Sequence, residues 1–132
     1  MVKKWIIMIV IIAVLIGGCV LESNYVNNAF IFLEDKLKSY KSTIEATSEE
    51  NLDSEENLET ISNLHDEWHG KVKGLKCLIW HSGVKDVEVG LSRIQTYTKE
   101  NDKTETLAEL NSLIDYLQHY SEDFTITIEN IL

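Results

Sequence analysis

Residues Trp5 to Leu21 form an unbroken run of apolar residues and glycines, preceded by Lys3 and Lys4 and followed by a chain that holds every acidic residue of the protein. A helix apolar on all sides, joined to a polar and acidic chain, has only lipid to bury it, which sets aside an ordinary core segment. At 1.5 Å per residue the run spans about 26 Å, slightly short of the roughly 30 Å hydrocarbon core of a bilayer. Two readings of residues 1–21 follow. In the first they are an uncleaved signal anchor, with Trp5 and Tyr25 at the two membrane interfaces. In the second they are a cleaved signal, because Ile16-Gly17-Gly18-Cys19 resembles the bacterial lipobox, in which small residues admit a peptidase and the cysteine, here Cys19, carries the lipid. Both readings make Lys3 and Lys4 the positive-inside flank and place residues 22–132 outside the cytoplasm.

The 132 residues include 12 Lys+Arg against 22 Asp+Glu, a net charge of −10. Setting Lys3 and Lys4 apart leaves 10 basic and 22 acidic residues in 22–132, a net charge of −12 on a segment of single-domain size. Such a surface repels phosphates, which argues against nucleic acid as a partner. Two cysteines, one of them inside the apolar run, do not make a disulfide framework.

From Glu22 onward the periodicity is helical, and no proline interrupts it. Val26, Phe30, Leu33, Leu37, Tyr40 and Ile44 alternate spacings of four and three, a heptad seam on a first helix that continues from the membrane segment to about Ala46. Asp53 followed by Glu56 has the offset of a capping box opening a second helix. Its stripe is Ile61, His65, Trp68, Val72, Leu75 and Ile79, and Ser82-Gly83 ends it. Val84, Val87, Leu91 and Ile94 mark a third helix that fades at Glu100. Asp102 with Glu105 caps a fourth, striped by Leu107, Leu110, Ile114 and Leu117. Phe124 to Ile128 alternates with period two and reads as an extended tail packed on the bundle. The expected fold is therefore all-α: an N-terminal transmembrane or signal helix, then an antiparallel up-and-down bundle of about four helices. The first two helices read longer than the last two, so the first hairpin is expected to project beyond the second, with a mobile acidic tip between Ser42 and Gly70.

Candidate sites are few. His65 and His69 stand one helical turn apart, the spacing that lets two imidazoles reach one metal ion. The motif is not that of a zinc protease, which needs Glu directly after the first His; Asp66 stands there. The alternative is a hydrogen-bonded His65 beside the core and an exposed His69. Acidic residues in the tip lack the spacing and the loop glycine of a calcium loop, and suit the start of a helix on electrostatic grounds. Lys71, Lys73 and Lys76 likewise suit the later turns of the second helix. Cys77 reads as a small buried hydrophobe. Gly70 and Gly74 inside the second helix each cost about 1 kcal/mol relative to alanine, unless they permit close approach or a kink. No nucleotide loop or nucleophile elbow is present, so neither catalysis nor a cofactor is expected.

Trp68, the apolar stretch ending at His81, Asp86-Val87-Glu88, Leu91-Ser92-Arg93-Ile94, Ala108-Glu109-Leu110, His119 and the closing Glu129-Asn130-Ile131-Leu132 together resemble the bacterial DUF4363 family, a domain of unknown function. A membrane segment followed by a helical region is also similar to that family, so the likeness covers essentially the whole chain. Ser82-Gly83 departs from the acidic residues such proteins carry after the histidine. The resemblance implies a small membrane-tethered helical protein and no reaction. It also suggests a polar group, His81, Glu88, Glu109 and His119, whose other reading is hydrogen bonds that pin helix register. The sequence thus points to a non-enzymatic module tethered to the cell membrane on its outer side and acting through a protein partner, an integral membrane protein among the candidates. The alternative is a metal-binding or metal-sensing domain using His65 and His69.

Overall fold

The computed structural model describes the backbone of residues 1–74 and 81–131 and the side chains of 1–74 and 82–120. Four helices follow in order: α1 (Val2–Ala46), α2 (Glu55–Val72), α3 (His81–Lys99) and α4 (Lys103–Ile131), with a single 3-10 turn at Glu49–Asn51 between the first two. Each packs on its chain neighbours and α1 also packs on α4, so the bundle closes as a ring. The expected all-α bundle is what forms.

Helix α1 is one uninterrupted rod of 45 residues, about 67 Å long at 1.5 Å per residue. Its character changes abruptly along its length. The apolar side chains from Val2 to Leu21 stand exposed, Leu21 at 72%. The seam Val26, Phe30, Leu33, Leu37, Tyr40 and Ile44 is buried against the other helices. The four-three spacing explains this second half, since it keeps one narrow stripe facing the same partners over five turns. Facing it are Ile61, Leu64, Trp68 and Val72 of α2, Val87, Leu91 and Ile94 of α3, and Leu110, Leu113, Ile114 and Leu117 of α4.

Several boundaries differ from expectation. Ser54, not Asp53, caps α2, its hydroxyl oxygen accepting from the Asn57 amide at 3.3 Å. Asp53 is instead drawn sideways, its amide donating to Asn101 Oδ1 at 2.9 Å. Helix α2 ends at Val72, and Gly74 lies in the turn after it. Ser82 and Gly83 lie inside α3 rather than ending a helix, because Gly83 leaves room for a ring: a Cβ there would meet Tyr120 Cζ at 2.9 Å. The C-terminal segment is helical, not extended, since α4 continues through Phe124–Ile128 to Ile131. Alternation by two over five residues is too short to outweigh a helix whose stripe, Leu110, Ile114, Leu117, is already docked. Leu75, Lys76, Cys77 and Ile79 lie outside the described residues.

The first hairpin does not project either. Helix α3 closes with Asn101 at a φ of 57°. The Asp102 amide bonds the Tyr97 carbonyl and the Asn101 amide that of Thr98, a paired closure that wants a left-handed residue and accepts asparagine. Asp102 then caps α4, as expected, by accepting from the Glu105 amide at 3.1 Å. Next to it Lys103 Nζ donates to the Glu45 carbonyl at 3.1 Å and the Thr47 carbonyl at 2.8 Å. α1 has no basic residue in its own last turn, so this borrowed ammonium satisfies its terminal carbonyls and the negative end of its dipole. The two distal turns are thereby bound together at one level. Leu52, between them, is fully buried, and the Asn57 side chain donates to its carbonyl. The acidic tip is thus anchored at its centre.

Gly70 is an exposed helical position, and a Cβ there would meet nothing within 4 Å. Gly70→Ala is expected to raise the unfolding free energy by about 1 kcal/mol in chemical denaturation, the full propensity difference with no steric cost.

Candidate functional site

Two sets of polar side chains connect the helices, one linking α1 to α3 and α4 and the other spread over α3. On the first, Tyr40 Oη lies 3.1 Å from Thr98 Oγ1, and the Thr98 hydroxyl donates to the Ile94 carbonyl at 2.8 Å. A hydroxyl has one proton to give, so Tyr40 is the donor between the two. Burial holds its phenol above the ordinary range, and the Thr98 hydroxyl offsets part of that shift. This bond crosses the bundle between α1 and α3, which are not neighbours in the ring. Tyr40→Phe is expected to cost about 1 kcal/mol, read as a shift in denaturation midpoint without a change in slope.

Glu34 accepts from Lys38 Nζ at 2.8 Å within α1 and from Gln118 Nε2 at 2.8 Å on α4. The Lys38 ammonium is the largest cause holding the carboxyl below its ordinary value; burial opposes it, and Gln118 adds to the lowering. Because the folded value is depressed, the stability this carboxylate adds is present above its unfolded value and lost as pH falls through the folded one. The stability difference between the natural chain and Glu34→Gln is therefore expected to shrink from about pH 6 to about pH 3, measured by urea unfolding.

The histidines of α2 are placed differently from each other. His69 Nδ1 lies 3.1 Å from Glu88 Oε1 on α3. A carboxylate only accepts, so Nδ1 carries the proton there. His65 is partly buried at the edge of a shallow surface on the outward side of α3, lined by Lys85, Glu88, Val89, Ser92 and Arg93. Among the described residues no three His, Cys, Asp or Glu side chains are grouped closely enough to hold a metal ion.

The polar group suggested by resemblance is dispersed. Glu88 turns to α2. Glu109 faces Arg93 Nη1 at 3.7 Å, an exposed contact that adds little to stability. His119 Nδ1 lies 2.8 Å from the Asp115 carbonyl of its own helix. The side chain of His81 lies outside the described residues. Of these contacts, those of Glu88 and Glu109 bridge neighbouring helices and that of His119 to Asp115 stays within α4.

Sequence reasoning missed the packing of α3 on α4. Gly83 and Gly90, seven apart and so on one face of α3, let Tyr120 and Leu113 approach the backbone. Tyr120 stacks on Tyr116 and meets Phe30 edge-on. The Tyr116 phenol is pushed up to about 12, first by burial and then by the Asp86 carboxylate beside it. The glycine spacing is the one signal that pointed to this contact.

Helix α1 is the only helix among the described residues long and apolar enough to cross a membrane. Cys19, within its apolar part, is disulfide-bonded. Its hydroxyl-bearing neighbour Ser23 donates to the Cys19 carbonyl at 2.7 Å. A family model described as a domain of unknown function, DUF4363, matches residues 23–131, the whole bundle and not the apolar run. No curated protein and no solved structure matches the chain.

Proposed function

Because the chain belongs to the DUF4363 family, a domain of unknown function, its role must be read from its geometry, and we propose that it is a membrane-tethered, extracytoplasmic, non-enzymatic helical module that acts by contact with another membrane protein. The observation that carries this reading is the continuity of α1. The exposed apolar half and the buried seam are one unbroken helix, so a motion or load on the bundle is transmitted directly to the membrane segment. A flexible leader would transmit neither.

The positive flank of Lys3 and Lys4 supports an outward-facing bundle. Of the two tethers the uncleaved anchor is the one adopted, because α1 runs without a break through residues 16–19 into the bundle. An intact Met1 in N-terminal mass spectrometry is the expected result, and lipid on Cys19 would reverse the preference.

The polar side chains already described pair with one another across helices, as structural registers do, which favours binding over catalysis. The surface best suited to a partner is the outward side of α3, where Val89 is 42% exposed between Lys85, Ser92 and Arg93. Photo-crosslinkers placed at Val89 and at the distal Glu50, in native membranes, are expected to capture the same integral membrane protein reproducibly. Recovery of none from either position counts against the proposal. The metal-binding alternative has one observation in its favour, the Glu88 carboxylate that contacts His69 and shares a surface with His65. It requires tight zinc binding by the full chain that is lost in His65→Ala, and calorimetry with no such binding removes it.

A further inference from the structure

The stack of Trp68 on Phe30, with centroids 5.4 Å apart, sets the height of α2 against α1. From that level α2 descends five residues to Lys73, about 7.5 Å, and α1 descends nine residues to Leu21, the last residue of the apolar run, about 13.5 Å. Lys73 therefore stands about 6 Å above the end of that run. The run spans about 26 Å against a hydrocarbon core of roughly 30 Å, and the headgroup layer outside the core is about 5–7 Å deep. The end of α2 thus reaches headgroup level. Tyr25, on α1 at the same height, is 48% exposed, as befits an aromatic ring at the interface.

We propose that Lys73, supported by Lys71, binds the phosphate of an anionic lipid in the outer leaflet, so that the end of α2 is a second, electrostatic contact between the bundle and the membrane. The inference rests on α1 being the anchor proposed above, with the bundle outside. Charge carries it. On a segment with 10 basic and 22 acidic residues, Lys38 and Lys41 pair with Glu34 and Glu45 of their own helix, and Lys103 closes the end of α1. Lys71 and Lys73 have no ion-pair partner among the described residues. Lys73 is exposed. Lys71 holds its ammonium 4.5 Å from the centre of the Phe32 ring, a contact that leaves N–H groups for an oxygen acceptor. Lys71 in the last turn already meets the negative end of the α2 dipole, and Lys73 at the C-cap adds a further charge. Glu122 and Asp123 stand on α4, diagonal to α2 in the ring of helices, so the attraction is local to the α2 corner.

Height favours lipid over an acidic protein segment, because the phosphates of the leaflet that α1 crosses already lie at this level. A lysine at an anionic surface is worth about a fivefold enrichment, and the field fades within a Debye length of about 8–10 Å. The test uses the full-length protein in nanodiscs of phosphatidylcholine with phosphatidylglycerol as the minor component. A diazirine amino acid replaces Gly74, where an added Cβ meets nothing within 4 Å, and lipid adducts are read by mass spectrometry. Tyr25 at the same height is the second position, and Val14 reports on the anchor. At Gly74 the ratio of phosphatidylglycerol to phosphatidylcholine adducts is expected to exceed that of the bilayer by at least about fivefold, and Lys73→Gln, which leaves Lys71 on Phe32, to lower it by about fivefold. Replacing both lysines with glutamine is expected to bring it to the bilayer value. A ratio equal to that of the bilayer in the natural chain, or one that both variants leave unchanged, overturns the proposal. Adducts at Val14 with none at Gly74 or Tyr25 also overturn it and leave the anchor standing. No adduct at Val14 overturns the anchor, and the proposal with it.

Discussion

Replacing Trp68 with alanine is expected to lower the unfolding free energy by about 3–5 kcal/mol, a large fraction of the roughly 5–15 kcal/mol that keeps a domain folded. Trp68 is 1% exposed and stacks on Phe30 with ring centroids 5.4 Å apart, so α2 is held to α1 largely through this ring. Its indole N–H has no hydrogen-bond partner among the described residues. Trp68→Phe is therefore expected to cost clearly less than the alanine change: it keeps an aromatic ring against Phe30 and removes a buried donor that no described residue satisfies. Urea unfolding followed by far-ultraviolet circular dichroism distinguishes the two. Equal losses would mean that the stack contributes little beyond its bulk.

Leu52→Ala is the second large effect, expected at about 2–5 kcal/mol, the range for truncating a fully buried leucine. By composition Leu52 sits in an acidic connection, where such a change would matter little. Its burial instead makes it the plug between two turns that are tied by Lys103 and by the Asp53 to Asn101 bond. Hydrogen exchange in the variant is expected to rise first at the amides of both turns, and a rise confined to Thr47–Ser54 would show that the turns open separately.

These two residues also mark where sequence reading succeeds and where it stops. Trp68 was legible as core because it repeats with Ile61 and Val72 at helical spacing; the same logic placed the α1 seam, and the capping-box offset to Glu105 placed the Asp102 cap. Leu52 was not legible, because a single apolar residue in a polar loop has no periodic companions. Its burial depends on the α3 to α4 turn, which arrives from almost fifty residues away. The extended reading of Phe124–Ile128 failed for a related reason. Five alternating residues express a weak local preference, and α4 was already committed to a helix by the stripe before them.

The candidate polar residues behave in the same way. His65 and His69 were identified as neighbours on one face of a helix, but the partner of His69 is Glu88 of the next helix, a choice made by how α2 and α3 pack. Glu88 and Glu109 likewise take partners on neighbouring helices, which the sequence does not specify.

By itself the sequence determined the membrane-compatible run, the helical class, the core stripes and the order of charge along the chain, all of which depend on local composition and on periods of three to four residues. Only the tertiary structure decided that both distal turns lie at one level and that α3 meets α4 through two glycines. Those are relations between segments distant in the chain, set by which side chains fit together once the stripes are buried, and no local pattern encodes them.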